Sequence, residues 1–99
     1  MPSESHRYRL SPLAVADLED IWLYTFERWS LEQADRYHHD LIAAIEALAS
    51  GMKVGRRADV REGYSKYAVG QHFVFFRPSE AGLDVIRILH RRMDVDRHL

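Results

Sequence analysis

The stretch HFVFFRPSEAGLDVIRIL, residues 72–89, decides the fold. Both of its ends are rich in β-branched and aromatic residues, which is typical of strands, and the polar segment SEAG between them predicts a turn. We therefore expect strands over 72–78 and 83–89, joined as an antiparallel hairpin. Upstream, YSKYAV (64–69) alternates and is followed by the turn dipeptide GQ, which predicts a third strand and an antiparallel meander.

The last strand of this meander has apolar side chains on both of its predicted faces. Simple alternation places one set on one face and the other set opposite. The first set is Ile86, Ile88 and His90, and the second is Val85, Arg87 and Leu89. A strand that is apolar on both sides is typical of a sheet that is covered on both sides. We therefore expect helices on one face and at least partial cover on the other.

Two amphipathic helices are predicted before the meander. Ser11 and Pro12 form a helix start, because serine caps a helix and proline fits its first position. Ser30, with Gln33 three residues later, has the pattern of a capping box and begins the second helix. The two apolar runs at spacings of three and four are Ala14, Leu18, Ile21, Trp22, Thr25, Trp29 and Ala34, Tyr37, Leu41, Ala44, Ile45, Leu48. Gly51 fits the position just after a helix end. With almost no linker between them, the helices should form an antiparallel hairpin.

The remaining segments complete a single domain over residues 1–99. HRYRLS (6–11) predicts a first strand, at an edge of the sheet or beside the last strand. Residues 52–63 have no clear period and are predicted to be a loop. The expected order is β-α-α-β-β-β. It describes an α+β fold in which an antiparallel sheet carries the N-terminal helical hairpin on one face.

Composition excludes several classes of protein. The chain has no cysteine, which excludes disulfides and thiolate metal sites. The N-terminus lacks an apolar signal segment, and no run approaches the ~20 apolar residues of a membrane span, so we expect a cytoplasmic protein. His38 and His39 are adjacent on a helix and point about 100° apart. Neither a metal site nor a cofactor is predicted.

Charge is distributed unevenly along the chain. Residues 1–50 hold four basic and nine acidic side chains, whereas residues 51–99 hold ten basic and six acidic ones. The net charge of −1 therefore conceals an acidic first half and a basic second half. Such a molecule can dock its basic part on an anionic partner, although a protein that relies on many phosphate contacts is usually more basic overall. Both halves could equally be solvated surface.

Four segments together resemble a known family. They are YRLSPLAVADLEDIWLYT (8–25), GRRADVREGY (55–64), HFVFFRP (72–78) and VIRILHRRMD (85–94). The chain is similar to the ParE branch of the ParE/RelE superfamily, the toxins of toxin–antitoxin pairs, over almost its whole length. The most specific part is the loop pattern Gly55, Arg56, Asp59, Arg61, Gly63 with the last two segments. Many relatives carry a proline just before the Gly-Arg pair, and MKVGR (52–56) has none.

The resemblance implies a toxin that is not an enzyme, that inhibits DNA gyrase and that thereby blocks replication. It also implies a ParD-like antitoxin that neutralises the toxin in a hetero-oligomer. The predicted gyrase-binding residues are His90, Arg91, Arg92, Met93 and Asp94. The predicted antitoxin-binding residues are Leu18, Trp22, Trp29, Arg56, Arg61, Arg77 and Arg87. We expect no membrane partner and no direct sequence-specific binding of nucleic acid.

The alternative is a RelE-like, ribosome-dependent mRNA endoribonuclease. Such a reaction needs an acid or base and cations for the charge on phosphorus, and the candidates are Arg61, His90 and Arg92. A net acidic chain and a C-terminal tail without tyrosine count against this alternative. Arg61 could instead form a structural ion pair with Asp59, with Glu62 or with an aspartate of the C-terminal tail.

Overall fold

The computed structural model describes residues 7–80 and 82–99 of the chain. In these residues the helices are α1 (Pro12–Arg28), α2 (Leu31–Ser50) and α3 (Val95–His98), and the strands are β1 (Tyr8–Leu10), β2 (Arg56–Arg57), β3 (Ser65–Val69), β4 (His72–Ser79) and β5 (Gly82–His90). The strands form one sheet in the order β1-β5-β4-β3-β2. The pairing of β1 with β5 is parallel and the other pairings are antiparallel.

The predicted α+β architecture is confirmed, with three differences in detail. β1 does lie beside the last strand, but it runs parallel to it, so the sheet is only mostly antiparallel. β2 lies inside the segment predicted to be a loop, and α3 lies in the predicted tail. His6 of the predicted first strand and Ala81 of the SEAG turn fall outside the described residues.

Both helices start, and α2 also ends, where the predicted capping residues place them. The Ser11 hydroxyl accepts a hydrogen bond from the Ala14 N–H (3.0 Å), and the Ser30 hydroxyl accepts one from the Gln33 N–H (3.1 Å). Each bond satisfies an amide that has no partner in the first helical turn. Gly51 ends α2 with a left-handed φ of 84°, which glycine adopts without strain. No helix in the described part of the chain is long and apolar enough to span a membrane.

The main core lies between the helical hairpin and one face of the sheet. Each helix contributes its predicted stripe, and the sheet contributes residues of β4 and β5. The buried members are Ala14, Leu18, Leu41, Ile45, Leu48, Val74, Phe76, Leu83, Val85 and Ile88. Trp29 was predicted to belong to the α1 stripe, but 66% of it is exposed.

An irregularity in β5 changes which side chains face the helices. Phe75 pairs with Arg87 and Phe76 with Val85, so Ile86 is an extra residue in the strand. A bulge of this kind shifts the alternation by one position. Val85 therefore joins Ile88 on the helix side, whereas Leu89 belongs to a cluster with Phe75. The predicted alternation, which placed Val85 and Leu89 on the same face, is wrong for this reason.

A second, smaller cluster covers part of the other face of the sheet. Its buried residues are Ala58, Phe75 and Leu89. Val95 and Leu99 pack against it from the C-terminal segment. The predicted partial cover of the second face is thus confirmed, and the cover is the end of the chain itself.

Candidate functional site

An apolar groove runs between the two long helices. It is lined by Leu10, Val15, Leu18, Glu19, Trp22, His38 and Ile42, has a volume of about 480 Å³, and is called the helix groove below. Leu18 is buried in its floor, whereas Val15 is 40% exposed. The indole N–H of Trp22 donates to the Asp35 carboxylate across the groove (2.9 Å), which fixes the ring. The groove is suited to an apolar helix or side chain of a partner.

The exposed side of α1 adds aromatic surface next to this groove. Trp22 and Phe26 stack with ring centroids 5.3 Å apart and planes 11° apart. Phe26 is 44% exposed and Leu23 is 49% exposed. Exposed apolar residues grouped in this way mark interaction surfaces more often than scattered ones do. Sequence reasoning missed Phe26, although its spacing of four from Trp22 is a signal that could have found it.

A second cleft lies between the C-terminal half of α1 and the ends of β4 and β5. Its walls include Tyr24, Trp29, Tyr37, His72 and His90. Trp29 therefore borders this histidine cleft and not the helix groove. The predicted grouping of Leu18, Trp22 and Trp29 thus divides between two depressions, since only the first two line the helix groove.

The histidine cleft is organised by hydrogen bonds to one tyrosine hydroxyl. The Tyr37 hydroxyl lies 2.7 Å from His72 Nδ1 and 2.9 Å from the Val69 carbonyl, and it accepts a bond from the Gln71 N–H. The hydroxyl has one proton, and the Val69 carbonyl can only accept, so His72 Nδ1 is best placed to donate. Burial, followed by the neighbouring His90, lowers the pKa of His72 to about 4. A neutral His72 therefore holds the β3–β4 turn on α2.

His90 lies beside His72 on the neighbouring strand, but its hydrogen-bond partner is different. The two residues are paired in register, and their rings meet edge to face with centroids 5.2 Å apart. His90 Nδ1 accepts a bond from the Arg92 N–H, so this nitrogen holds the turn after β5. Within residues 7–80 and 82–99, no three acidic, histidine or cysteine side chains are grouped as metal ligands.

An ion pair inside the fold joins α1 to β5. The Asp17 carboxylate accepts hydrogen bonds from Arg87 Nε (2.8 Å), from Arg87 Nη2 (2.9 Å) and from the Ile88 N–H (2.9 Å). Arg87 also donates to the His98 carbonyl (2.9 Å). The bonds from Asp17 raise the pKa of Arg87. The role of Asp17 in this ion pair was not predicted from the sequence. Its spacing of three from Ala14 is a signal, because it places an acid on the apolar stripe of α1.

Four cations occupy the part of the second sheet face that the C-terminal segment leaves open. This basic face consists of Arg56, Arg61, Lys66 and Arg77. The guanidinium carbons of Arg61 and Arg77 lie 5.9 and 5.6 Å from the centroid of the Tyr64 ring, and Lys66 Nζ lies 4.8 Å from that of Phe73. Such distances are those of cation–π contacts.

The predicted gyrase-binding residues form the turn between β5 and α3. Arg91, Arg92, Met93 and Asp94 are exposed, whereas His90 is half-buried. The turn is ordered by bonds from the Arg91 N–H to the Gln71 carbonyl and from the Met93 N–H to the His90 carbonyl. The four exposed side chains are therefore presented together at one end of the sheet.

The three residues of the ribonuclease alternative are not brought into one site. Arg61 lies on the second face of the sheet, against Tyr64. His90 lies in the histidine cleft on the helix side, and Arg92 follows it in the turn. Arg61 therefore cannot clamp a phosphate on which His90 acts, whereas Arg92 remains adjacent to His90.

Comparisons with known proteins agree with this architecture. The family model described as ParE toxin of type II toxin-antitoxin system, parDE, matches residues 8–95. Toxin ParE1 of Mycobacterium tuberculosis strain H37Rv is 47% identical over 97 residues, which is 96% of this chain and 99% of the relative. Toxin ParE1 of Caulobacter vibrioides is 43% identical over 93 residues, 93% of this chain and 96% of the relative.

Solved structures show the same fold at low sequence identity. A chain of the chromosomal ParDE TA system from P. aeruginosa has a TM-score of 0.76 at 18% identity and covers 88% of this chain and 97% of its own. A chain of the YoeB-YefM complex from Staphylococcus aureus has a TM-score of 0.56 at 9% identity and covers 86% of this chain and 95% of its own.

Proposed function

The chain belongs to the ParE toxins of type II toxin–antitoxin systems, and from this premise we propose that it inhibits DNA gyrase in the cytoplasm and blocks replication. It acts by binding, not as an enzyme. A ParD-like antitoxin neutralises it by folding onto its surface, as disordered partners commonly do. The observation that carries the antitoxin contact is the helix groove with its fixed Trp22 wall.

In this proposal an amphipathic antitoxin helix fills the helix groove and contacts Leu18 and Trp22. Trp29, at the turn between the helices, supplies a further exposed aromatic contact. Arg56, Arg61 and Arg77 pair with antitoxin carboxylates on the other side of the molecule. Burial of apolar area at about 25 cal/mol per Å² supplies affinity, and the charges mainly set register and speed encounter.

Arg87 takes a different role from the other predicted arginines. Its guanidinium is already held by Asp17 and by the His98 carbonyl, and its side chain is only 13% exposed. An arginine that is engaged on both sides has few donors left for a partner. We therefore assign Arg87 to holding the fold.

The contact with gyrase is assigned to the turn that carries His90, Arg91, Arg92, Met93 and Asp94. The turn is exposed and ordered, so it presents its side chains without a large loss of entropy on binding. His90 contributes by fixing the Arg92 amide. The ribonuclease alternative has less support, because Arg61, one of its two predicted cations, lies on the face of the sheet opposite His90.

Purified toxin in gyrase supercoiling and DNA-cleavage assays, beside a reaction that translates mRNA in vitro, tests the target. We expect inhibited supercoiling, accumulated cleaved DNA and normal translation. Blocked translation with unaffected gyrase would refute the gyrase assignment.

Variants test the turn more sharply than a truncation does, since Val95 and Leu99 cover the second cluster and their removal would disturb the fold. Arg91→Gln/Arg92→Gln should weaken gyrase inhibition and leave antitoxin binding intact. Arg28→Gln/Arg36→Gln removes the same charge from the helices and serves as the matched control. Equal effects of the two double variants would count against the turn.

Antitoxin binding is tested at the helix groove. Trp22→Ala removes a half-buried aromatic side chain from the groove wall and should weaken binding of a ParD-like antitoxin about 30-fold, the equivalent of ~2 kcal/mol. Met52→Ala, at a residue that is 84% exposed and lies outside the groove, is the control. Calorimetry with the purified pair measures both, and an unchanged affinity for Trp22→Ala would exclude the groove.

A further inference from the structure

We propose that, in toxin free of antitoxin, the basic face binds the phosphate backbone of duplex DNA without regard to sequence. The proposal deepens the proposed gyrase inhibition, on which its biological setting rests, because it gives the toxin a contact to the DNA that gyrase holds. Nothing in the family match or in the relatives' names assigns such a contact to these four residues.

The pairing register places the cations on one face. Arg56 is directly opposite Lys66, and Lys66 is directly opposite Phe75 of the second cluster. Residues directly opposite one another in a sheet share a face. Arg61 and Arg77 reach the same face through Tyr64, which packs against that cluster.

Three of these cations form cation–π contacts, but none of the four forms an ion pair within the described residues. Asp84 stands opposite Arg77, but the hydrogen bonds to this carboxylate come from Arg9 (3.0 and 3.2 Å) and Ser79. The bonds from Arg9 lower the pKa of Asp84 most, and the charge of Arg77 helps to lower it. Two like charges directly opposite on neighbouring strands, as in Arg56 and Lys66, destabilise a sheet. An anionic ligand is a physical reason to keep them there.

The local charge is much more positive than the net charge of the chain. Residues 52–77 hold six basic side chains and two acidic ones, Asp59 and Glu62. Eight of the 15 acids of the chain lie on α1 and α2, on the other side of the sheet. A positive face on an otherwise acidic molecule orients it towards a polyanion as it approaches.

The arrangement favours phosphates over bases. The Tyr64 ring has two guanidiniums within 5.9 Å, and the Phe73 ring has Lys66 within 4.8 Å. Rings that are occupied by cations are poor platforms for stacking bases, whereas they hold the cations in place for phosphate oxygens. Backbone contacts carry no sequence information, so we expect similar affinity for unrelated duplexes.

Fluorescence anisotropy with a labelled duplex of about 20 base pairs tests the proposal through its salt dependence. Four phosphate contacts predict a slope of about −3.5 for log K against log salt concentration, or roughly a 100-fold loss of affinity between ~50 and ~200 mM salt. Arg61→Gln/Lys66→Gln should reduce the slope to about −2 and weaken binding at low salt at least ~10-fold.

The double variant Arg28→Gln/Arg36→Gln changes the net charge equally on the helical side and should leave the slope unchanged. Thermal unfolding verifies that each variant is folded. Wild-type protein that does not bind DNA at low salt, or equal losses in the two double variants, would overturn the proposal.

A synthetic polyglutamate peptide separates DNA from acidic protein as the ligand. We expect DNA to bind and the peptide to compete for the same cations. Binding of the peptide alone would assign the face to antitoxin carboxylates and overturn the DNA contact. Gyrase inhibition is measured on the same variants. Gyrase inhibition by wild-type protein that does not bind DNA would refute this inference and leave the proposed function standing. DNA binding by wild-type protein that does not inhibit gyrase would refute the proposed function and leave the DNA contact standing.

Discussion

Replacing Asp17 with alanine should destabilise the protein far more than its single carboxylate suggests. The change removes the acceptor of three hydrogen bonds, which leaves the Ile88 N–H without a partner and the Arg87 guanidinium with the His98 carbonyl alone. The two side chains are only 12% and 13% exposed, so water cannot fully replace the lost contacts. Breaking a buried pair of this kind costs about 3–5 kcal/mol, and the residual exposure places the value near ~3 kcal/mol.

The assay is thermal and urea unfolding. For a domain of this size, ~3 kcal/mol corresponds to a fall in melting temperature of about 12–24 °C. Asp17→Leu with Arg87→Met removes both charges and should recover most of the loss, because an apolar pair can replace a buried ion pair. Arg9→Gln, which breaks the pair with Asp84 where Arg9 is 64% exposed, is the control and should have a much smaller effect.

Two results would refute this reasoning. One is an Asp17→Ala variant whose melting temperature equals that of the Arg9→Gln control. The other is a double variant that is destabilised by the sum of its two single changes, since coupled partners must show an interaction energy in a double-mutant cycle.

Three further outcomes follow from the structure. The pKa of His72 is about 4 in the folded chain against 6.5 as its ordinary value, so the unfolded chain takes up the proton first and stability, complete above pH 6.5, falls as the pH drops towards 4. The full loss of stability would be about 3 kcal/mol, and water at the half-exposed ring reduces it to ~1–2 kcal/mol. His72→Gln should make the free energy of unfolding depend less on pH between 6.5 and 4, as measured by urea unfolding at several pH values. An unchanged pH dependence would point to another group. Gly70→Ala should lower the melting temperature more than Gly63→Ala, because both glycines have positive φ but only the first Cβ meets the Tyr37 ring, at 2.8 Å; equal shifts would leave backbone strain as the whole effect. Deleting residues 95–99 should raise the binding of a hydrophobic dye, because Val95 and Leu99 cover the second cluster, and unchanged dye fluorescence would show that they do not.

Much of the fold could be predicted because its signals are local. Ser11, Ser30 and Gly51 set helix ends through contacts within a few residues. The apolar stripes and the alternation of β3 and β4 specify buried faces over short windows. The resemblance of four segments was enough to identify the family, which the relatives confirm. The groove residues Leu18 and Trp22 were also predicted, because an apolar helix face is visible in sequence.

Other features depend on residues that are distant in the chain, and these only the tertiary structure decided. The extra residue Ile86 shifts the alternation of β5 by one position, so the residues before and after it follow different patterns. Nothing near it in the sequence marks a bulge. Asp17 and Arg87 are 70 positions apart, so pairing them requires the helix to be docked on the strand. Packing also places Arg61 and His90 on opposite faces of the sheet. It brings Arg61 and Arg77 together at the ring of Tyr64. Periodicity and capping fix what each segment forms, since their energies arise within one or two turns. Which charges are buried, paired or left open for a partner is settled only when the segments pack.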